Sequence, residues 1–503
     1  MKVNLLYNIE APYLKNLLKA RGVSNFEEYL NPPVSALQNP KWLFGIEKGV
    51  KWLNETLNKP QSRILVVVDS DVDGYTSGAI IYNYIKSIKP DQDISYILHQ
   101  NKQHGLQDHA QTILDSGVKY DLIILPDSSS NDYEYHEMLK MRCLVLDHHE
   151  IDEDQAISEY ACIINNQTSP TYSNKDLTGA GVAWQFCRYH EQTTYKTMER
   201  SSKLIDLAAL GICGDMGSVL NLENRYIMKN GFSQIYNYFF KSAIAKQSYS
   251  MGGKITPMSV AFYIVPLMNA MIRVGTQDEK DRLFEALIDG HALVPSQKRG
   301  AKGTSEEVAI ESLRECTNAK SKQTRITDQM VEKLEQKIFK YDLLENKVLF
   351  VRLEDEDDFP AEINGLIAMK LCAKYKHPTI VARLNPEGYN RGSARGLNQS
   401  ELDDFKAFMN QSGYVEYAQG HANAFGVSIK DEDLRAFHNY ANVALANLKF
   451  DEKIFDVDFV REANDPALGP MIFELCQYPE LWGQNNNEPL ICIPNIHLEY
   501  DDI

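Results

Sequence analysis

The sequence predicts an α/β protein whose main sheet is parallel and covered by helices. Three short apolar runs support this class: Ile64–Val68, Leu122–Leu125 and Cys143–Leu146. None of them alternates apolar with polar residues, which is typical of strands buried on both faces in a parallel sheet. The segments Thr76–Lys86 and Tyr133–Met141 lie between these runs, and we expect them to form covering helices.

The remaining chain predicts a helical connector followed by a second, smaller α/β region. Ser296–Lys340 carries ten basic and seven acidic residues and is rich in helix formers from Ser305 onward, with Ser305 as the candidate N-cap. We therefore expect five regions: a helical N-terminal region (1–40), a large α/β region (41–240), a helical region with the connector (241–345), a second α/β region (346–445) and an acidic C-terminal segment (446–503).

The composition is that of a globular protein, with 44% apolar and 24% charged residues among 503. The sequence has no run of about 18 apolar residues and no export signal, so we expect a cytoplasmic protein without a membrane span. The eight cysteines form no CxxC pair, which argues against a zinc ribbon or a disulfide framework. The net charge of −17 argues at face value against a nucleic-acid partner. More than half of it, however, lies in residues 446–503, which hold twelve acidic and three basic side chains.

An aspartate follows each of the three apolar runs. Asp69, Asp127 and Asp147 stand at the ends of the predicted strands. Because the carboxyl ends of parallel strands meet at one edge of the sheet, these side chains should lie together. A single aspartate at such a position is usually a helix N-cap or a turn residue, but here the pattern occurs three times. Further candidate ligands lie beside these positions or after a later apolar run: Asp71, Asp73, His148, His149 and Asp215.

The repulsion within such a cluster predicts bound cations. Two carboxylates about 5 Å apart repel by about 3 kcal/mol at an effective dielectric of 20. Several unpaired carboxylates would remove much of a domain's stability, so protons or cations must neutralise them. Oxygen-rich sites with one or two imidazoles favour Mn²⁺ or Mg²⁺, and two such ions together are used for phosphoryl chemistry. We therefore expect a dinuclear metal site.

Two other interpretations of the segment Asp69–Gly74 can be tested on the sequence. It matches the opening of a calcium EF-hand loop, but the twelfth position is Ile80 rather than glutamate, and the segment follows a strand. It also resembles the start of a haloacid-dehalogenase phosphatase, in which Asp69 would be the nucleophile. That interpretation leaves Asp147–His149 and Asp215 without a role.

The four acidic motifs together resemble the DHH phosphoesterase superfamily, and within it the RecJ-like single-strand exonuclease branch. Asp69–Ser77 matches the first motif, Asp127 the second, Asp147–His149 the motif that names the family, and Gly214–Asp215 the last. Further segments resemble the helical NAxxR element and the associated DHHA1 domain: Asn269–Arg273, Glu362–Ala368, Arg391–Gly396 and Gly420–Gly426. Regions 41–240 and 346–445 would then be the DHH catalytic and DHHA1 substrate-binding domains.

The resemblance implies roles for individual residues. The metal ligands would be Asp71, Asp73, Asp127, His148 and Asp215, and Asp69 and Asp147 would support or share that role. His149 would face the scissile phosphate, and Asp127 and Asp147 would act in catalysis with it. The substrate would be bound by Ser393, Arg395, Gly420, His421, Asn269 and Arg273. Arginine suits phosphate geometry, and glycine and serine allow backbone N–H groups to approach an anion.

The implied function is a metal-dependent exonuclease that degrades single-stranded DNA, from the 5′ end, in DNA repair or recombination. Two other functions stay open: a DHH-fold scaffold without catalysis, and a phosphodiesterase for short oligoribonucleotides or dinucleotides. The chain departs from the family where an arginine is common, because His99, Lys102 and His104 occur there instead.

The C-terminal segment is the least typical part of the chain. Leu481–Pro489 resembles the segment that leads into an OB-like domain, but only fourteen residues follow it. A complete five-stranded barrel needs more, so we expect a partial OB-like segment. Its acidity suggests that this segment binds a protein partner rather than DNA.

Overall fold

The structure, a computed structural model, describes residues 2–100, 104–152, 156–301, 303–354, 359–398, 400–450 and 454–496. The chain folds into two compact units. The first unit is Leu18–Lys320 with Cys476–Glu488, and the second unit is Met1–Leu17, Ser321–Leu475 and Pro489–Ile503. Lys102 lies outside the described residues, as do the acidic residues 355–358, 451, 452, 499, 501 and 502.

The N-terminal region, which we expected to be helical, also contains a strand. Its elements are β1 (Lys2–Leu5), α1 (Tyr13–Ala20) and α2 (Phe26–Leu30); two short 3₁₀ turns then lead to α3 (Ile46–Asn58) in the next region. Strand β1 pairs in parallel with Ile454–Val457, a segment far along the chain. A strand partner so distant in sequence leaves no local pattern from which β1 could be predicted.

A five-stranded parallel sheet forms the core of the first unit. Its strands are β2 (Arg63–Val68), β3 (Asp93–Leu98), β4 (Leu122–Pro126), β5 (Cys143–Asp147) and β6 (Ala161–Asn165), in the order β3-β2-β4-β5-β6. The helices between them are α4 (Val72–Ile88), α5 (Ala110–Asp115) and α6 (Tyr133–Leu139). The predicted α/β class, parallel sheet, strands and covering helices are confirmed. The order reverses between β2 and β4, and ligands of such sheets bind at this point.

Helices make up most of the remaining first unit. They are α7 (Gly179–Thr194), α8 (Glu199–Ser202), α9 (Ile205–Gly214), α10 (Leu222–Ser233), α11 (Tyr238–Gln247), α12 (Pro257–Tyr263), α13 (Val265–Val274) and α14 (Gln277–Ile288). Among the described residues one stretch, Pro257–Val274, has the length and apolar composition of a membrane span, and 61% of it is buried inside the structure. A core helix has the same properties, so this stretch is weak support for a span.

The predicted connector is a long helix that begins later than expected. Two short strands, β7 (Leu293–Pro295) and β8 (Ser305–Glu307), precede α15 (Val308–Lys340). The prediction of Ser305 as the N-cap was wrong, because Ser305 pairs with Pro295 in an antiparallel ladder. Glu306, expected in the first helical turn, instead forms an ion pair with Arg314.

The second unit contains a mixed sheet with a hydrophobic core on one face. Its elements are β9 (Leu349–Leu353), α16 (Asn364–Tyr375), β10 (Thr379–Leu384), β11 (Tyr389–Arg395), α17 (Phe405–Gln411), β12 (Val415–His421), β13 (Ala424–Lys430) and α18 (Leu434–Ala444). The strand order is β12-β13-β11-β10-β9, with only β9 and β10 parallel. Phe405 of α17 and Phe437 of α18 pack with Phe425 and Val427 in the core on that face.

The C-terminal elements are short: β14 (Ile454–Val457), β15 (Phe459–Val460), α19 (Leu468–Cys476) and β16 (Ile491–Cys492). Among residues 454–496 they form two-stranded pairings and no closed barrel. Residues 476–488 belong to the first unit, where Arg225 donates to the carbonyl of Glu480 at 2.9 Å and Trp482 is buried.

Candidate active site

The acidic residues that follow the strands of the first sheet meet at its carboxyl edge. Asp69 follows β2, and Asp127 follows β4, on the two sides of the point where the strand order reverses. Asp71 is the N-cap of α4 and accepts a hydrogen bond from the Gly74 amide at 3.0 Å. Asp215 caps the C-terminus of α9.

His148 stands at the centre of this cluster. Its Nε2 atom lies 3.2 Å from Asp127 Oδ1, 3.6 Å from Asp215 Oδ2 and 3.9 Å from Asp73 Oδ2. Three groups of side chains present ligand atoms within 4.8 Å of one another: Asp73, His148 and Asp215; Asp69, Asp71 and Asp127; and Asp127, His148 and His149. The structure thus brings together all six residues predicted as metal ligands.

Backbone and hydroxyl donors at the start of α7 hold Asp73 in place. Thr178 donates its hydroxyl to Oδ1 at 2.9 Å, the Gly179 amide donates to Oδ2 at 2.6 Å and the Ala180 amide donates to Oδ1 at 3.1 Å. This support for Asp73 was not visible from the sequence.

Asp127 is the member of the cluster that most needs a cation. It is 1% exposed, has a φ of 70°, and its Oδ1 atom accepts no hydrogen bond from the described residues. A Cβ atom at Gly179 would lie 2.3 Å from that oxygen, so only glycine leaves the carboxylate its space. Buried carboxylate oxygens without a donor are rare, and a metal ion is an ordinary reason for one.

Asp147 holds the two histidines rather than facing the cluster with a free oxygen. Its Oδ1 accepts from the amide of His148 at 2.7 Å and lies 2.8 Å from Nδ1 of His149, while Oδ2 accepts from the amide of Ser130. Burial alone would raise the pKa of the Asp147 carboxyl, but these donors hold that pKa below its usual range. Against the effect of burial, the Asp147 carboxylate raises the pKa of His149 to about 9.

His104 is a site residue for which the sequence suggested no task. Its Nδ1 atom is 2.5 Å from Asp69 Oδ2, and the amide of Gly105 donates to Asp69 Oδ1 at 3.3 Å. His99, the other described residue from the position of the missing arginine, is buried, with Nε2 3.8 Å from Asp69. The departure from the family pattern thus places a histidine directly on a candidate ligand.

The charges of the cluster favour divalent cations. Burial raises the pKa of Asp69, Asp73 and Asp127, and for Asp127 the charges of Asp73 and Asp71 raise it further. Burial and the same two carboxylates raise the pKa of Asp215 to about 8. Burial lowers the pKa of His148, which keeps its imidazole neutral as metal ligation requires. Many oxygens with one imidazole suit Mn²⁺ or Mg²⁺, so the residues fit the predicted ions.

Comparisons with known proteins identify the family. A family model described as the DHH family, N-terminal domain, matches residues 63–212. The chain is 36% identical to YorK of Bacillus subtilis, a prophage-derived protein named as a single-strand DNA-specific exonuclease, over 99% of this chain and 85% of YorK. The chain belongs to the RecJ-like branch of the DHH family.

More distant RecJ-like relatives agree with this assignment. The single-stranded-DNA-specific exonuclease RecJ of Haemophilus influenzae is 24% identical over 95% of this chain and 82% of its own length. The crystal structure of RecJ from Thermus thermophilus in complex with Mn²⁺ has the same fold, with a TM-score of 0.72 and 19% identity. It covers 97% of this chain, which in turn covers 69% of that RecJ chain.

In this RecJ-like chain the predicted substrate-binding residues of the second unit share one sheet. Arg395 of β11 and His421 of β12 both pair with Ala424 of β13, so their side chains lie on the same face with a small residue between them. Ser393 lies two residues before Arg395 and therefore on that face too. Gly420 has a φ of 130°, and its carbonyl accepts from Lys406 at 2.6 Å.

Asn269 and Arg273, the predicted substrate-binding residues of the RecJ-like helical element, lie one turn apart on α13. Both are half-buried, and α13 contacts α4 and α9, the helices that carry Asp71 and Asp215 at their ends. The structure therefore places this pair in the same unit as the acidic cluster.

Proposed function

We propose that the protein is a metal-dependent exonuclease that hydrolyses single-stranded DNA from its 5′ end, in DNA repair or recombination in the cytoplasm. The names of YorK and of the RecJ relatives support the activity and the substrate. The Mn²⁺ complex of Thermus thermophilus RecJ supports the metal. The observation that carries the proposal is the buried, donor-free Oδ1 of Asp127 beside His148.

The candidate ligands would hold two ions of Mn²⁺ or Mg²⁺; they are Asp69, Asp71, Asp73, Asp127, His148 and Asp215. When bound, such ions lower the pKa of a water molecule and neutralise charge that develops on a phosphate. Asp147 would keep the His149 ring oriented through the 2.8 Å contact at Nδ1. The half-exposed His149 ring would then bind the scissile phosphate.

The residues outside the acidic cluster would bind the rest of the strand. Arg395, Ser393 and His421 present donors on one sheet face, Gly420 shapes the strand end, and Asn269 and Arg273 lie beside the helices of the cluster. The net charge does not oppose this role. The whole chain carries −17, but −9 of this lies in residues 446–503, so residues 1–445 carry −8. Two divalent cations would bring that to about −4.

The predicted regions would divide these tasks. Residues 41–240 would form the catalytic domain and residues 346–445 the DHHA1 domain, connected by residues 241–345. The acidic segment 446–503, a partial OB-like element by resemblance, would face a protein partner, because its charge repels DNA.

The test is degradation of a single-stranded oligonucleotide in Mn²⁺, with the label at either end. A 5′-labelled strand should release a labelled mononucleotide first, whereas a 3′-labelled strand should shorten progressively. Asp127→Ala should abolish both. Equal rates for wild type and Asp127→Ala would refute the exonuclease, and absence of Mn²⁺ binding by wild type would support the scaffold. A higher rate on an RNA dinucleotide than on a DNA 20-mer would favour the oligoribonucleotide phosphodiesterase.

A further inference from the structure

His104 and Gly105 together hold both oxygens of Asp69. His104 Nδ1 lies 2.5 Å from Oδ2, and the Gly105 amide donates to Oδ1 at 3.3 Å. Asp69 is 1% exposed, whereas 49% of the His104 side chain is exposed. The carboxylate orientation is therefore set by the segment that follows β3, not by the strand that carries Asp69.

The carboxylate that His104 contacts faces the metal cluster. Asp69 presents a ligand atom within 4.8 Å of those of Asp71 and Asp127. The contact between His149 and Asp147 has similar geometry, but Asp147 is already occupied by backbone donors. A hydrogen bond on a ligating carboxylate fixes its rotamer, and loss of such a partner typically costs 10–100-fold in metal affinity.

We propose that His104 is a positioning residue for the metal centre, which acts by orienting Asp69 toward a cation shared with Asp71 and Asp127. The inference rests on the proposed function, because it requires that the cluster binds metal. Asparagine at position 104 can place its amide nitrogen near the position of Nδ1, whereas alanine cannot.

Mn²⁺ binding to the full-length protein, measured by calorimetry without nucleic acid, tests this role. His104→Ala should weaken binding about 10–100-fold, and His104→Asn should restore most of it. His291→Ala is the matched control, since His291 Nδ1 lies 2.7 Å from Glu307, a residue outside the three ligand groups of the described structure. Wild-type affinity in His104→Ala would refute the inference, whereas a wild type that binds no Mn²⁺ would refute the metal centre itself.

A second inference concerns the outward face of the stretch Pro257–Val274. Five of its accessible residues recur every three or four positions, as one stripe along a helix: Met258, Phe262, Pro266, Asn269 and Arg273. Phe262 is 64% exposed, and Tyr263 beside it is 40% exposed. An aromatic group thus shares a face with the two predicted substrate-binding residues, about 16 Å from Arg273 along the helix.

Both ends of this stretch lie next to segments that border the acidic cluster. At its start Pro257 lies close to Gly483, which also contacts Val219, four residues after Asp215. Just beyond its end, Lys280 of α14 donates to the carbonyl of Gln100, which follows β3. The stretch is therefore connected at one end to the segment that follows Asp215 and at the other to the segment that follows β3.

We propose that Phe262 is a base-stacking residue for single-stranded DNA, with Tyr263 beside it. Aromatic rings stack on bases of any sequence, and cationic groups next to them bind the phosphates. Along the stripe the aromatic ring of Phe262 is followed by the amide of Asn269 and the guanidinium of Arg273. The inference deepens the proposed function and rests on it.

Binding of a fluorescent phosphorothioate thymidylate 20-mer in Mn²⁺, in which the modified linkages resist hydrolysis, tests the stacking role. Phe262→Ala should raise Kd about 5- to 150-fold, and Phe262→Trp should retain wild-type binding. Phe473→Ala is the matched control, because Phe473 is 69% exposed on α19, in the acidic segment. An unchanged Kd for Phe262→Ala would refute the inference, whereas a wild type that does not bind the 20-mer would refute the proposed substrate.

Discussion

Replacement of Asp127 by asparagine should change stability in opposite directions with and without metal. Asparagine has nearly the same shape, and it tolerates the left-handed backbone region that Asp127 occupies at a φ of 70°. The substitution therefore removes a charge and a metal ligand and leaves the backbone unstrained.

The expected gain without metal follows from the spacing of the carboxylates. Ligand oxygens of Asp127, Asp69 and Asp71 lie within 4.8 Å of one another. At that distance two charges repel by about 3.5 kcal/mol at an effective dielectric of 20. Protons bound within the cluster relieve part of this repulsion, so in EDTA we expect Asp127→Asn to raise the free energy of unfolding by about 1–3 kcal/mol. One kcal/mol corresponds to about 2–4 °C in Tm for a domain of 150–250 residues.

Mn²⁺ should reverse the order of the two proteins. A ligand at 1,000 times its Kd stabilises the folded state by about 4.1 kcal/mol, and Asp127→Asn loses most of that gain with the ligand oxygen. Calorimetric unfolding in EDTA and across a Mn²⁺ titration measures both effects. Asp206→Asn is the control, because Asp206 is buried at the opposite end of α9 from Asp215 and accepts backbone hydrogen bonds there. Lower stability of Asp127→Asn in EDTA, or an equal gain from Mn²⁺ in both proteins, would refute this reasoning.

Three further predictions follow from single contacts. Gly179→Ala should weaken Mn²⁺ binding about 10–100-fold, because the added Cβ would lie 2.3 Å from Asp127 Oδ1. Gly469→Ala is the control: a Cβ there would have no atom within 4 Å, so this variant should bind Mn²⁺ with wild-type affinity in the same titration. His149→Ala should lower kcat by about 100-fold or more with Mn²⁺ affinity retained, and a parallel loss of affinity would contradict a role at the phosphate. Burial lowers the pKa of His190 from 6.5 to about 4, so stability should fall as the pH drops from 6.5 through 4, where the unfolded chain binds the proton first. Urea unfolding of His190→Gln should show a flatter profile over this range, and a slope equal to that of wild type would contradict the assignment.

Much of the first sheet could be predicted because its signals are local. The apolar runs of β2, β4 and β5 indicate buried strands without reference to the rest of the chain. Strand β1 could not be found in this way, since its partner Ile454–Val457 lies far along the chain. The start of α15 was misplaced for a similar reason, because Ser305 pairs with Pro295 of β7.

The membership of the acidic cluster was also predictable, but the supports of its members were not. Asp73 depends on donors from Thr178, Gly179 and Ala180, more than 100 positions later. His104 stood out in the sequence only as a departure from the family pattern. Its contact with Asp69 required the two segments that follow β2 and β3 to be placed side by side.

The sequence by itself determined the fold class, the family and the residue types that could bind a metal. It did so because strand burial and motif spacing are properties of neighbouring residues. Only the tertiary structure showed how the hydrogen-bond partners of these carboxylates differ. Asp127 retains an oxygen without a donor, whereas the oxygens of Asp147 are taken by backbone amides and His149. The physical reason is that the hydrogen-bond donors that the fold places around each carboxylate decide which buried charges are already compensated and which one still requires a cation.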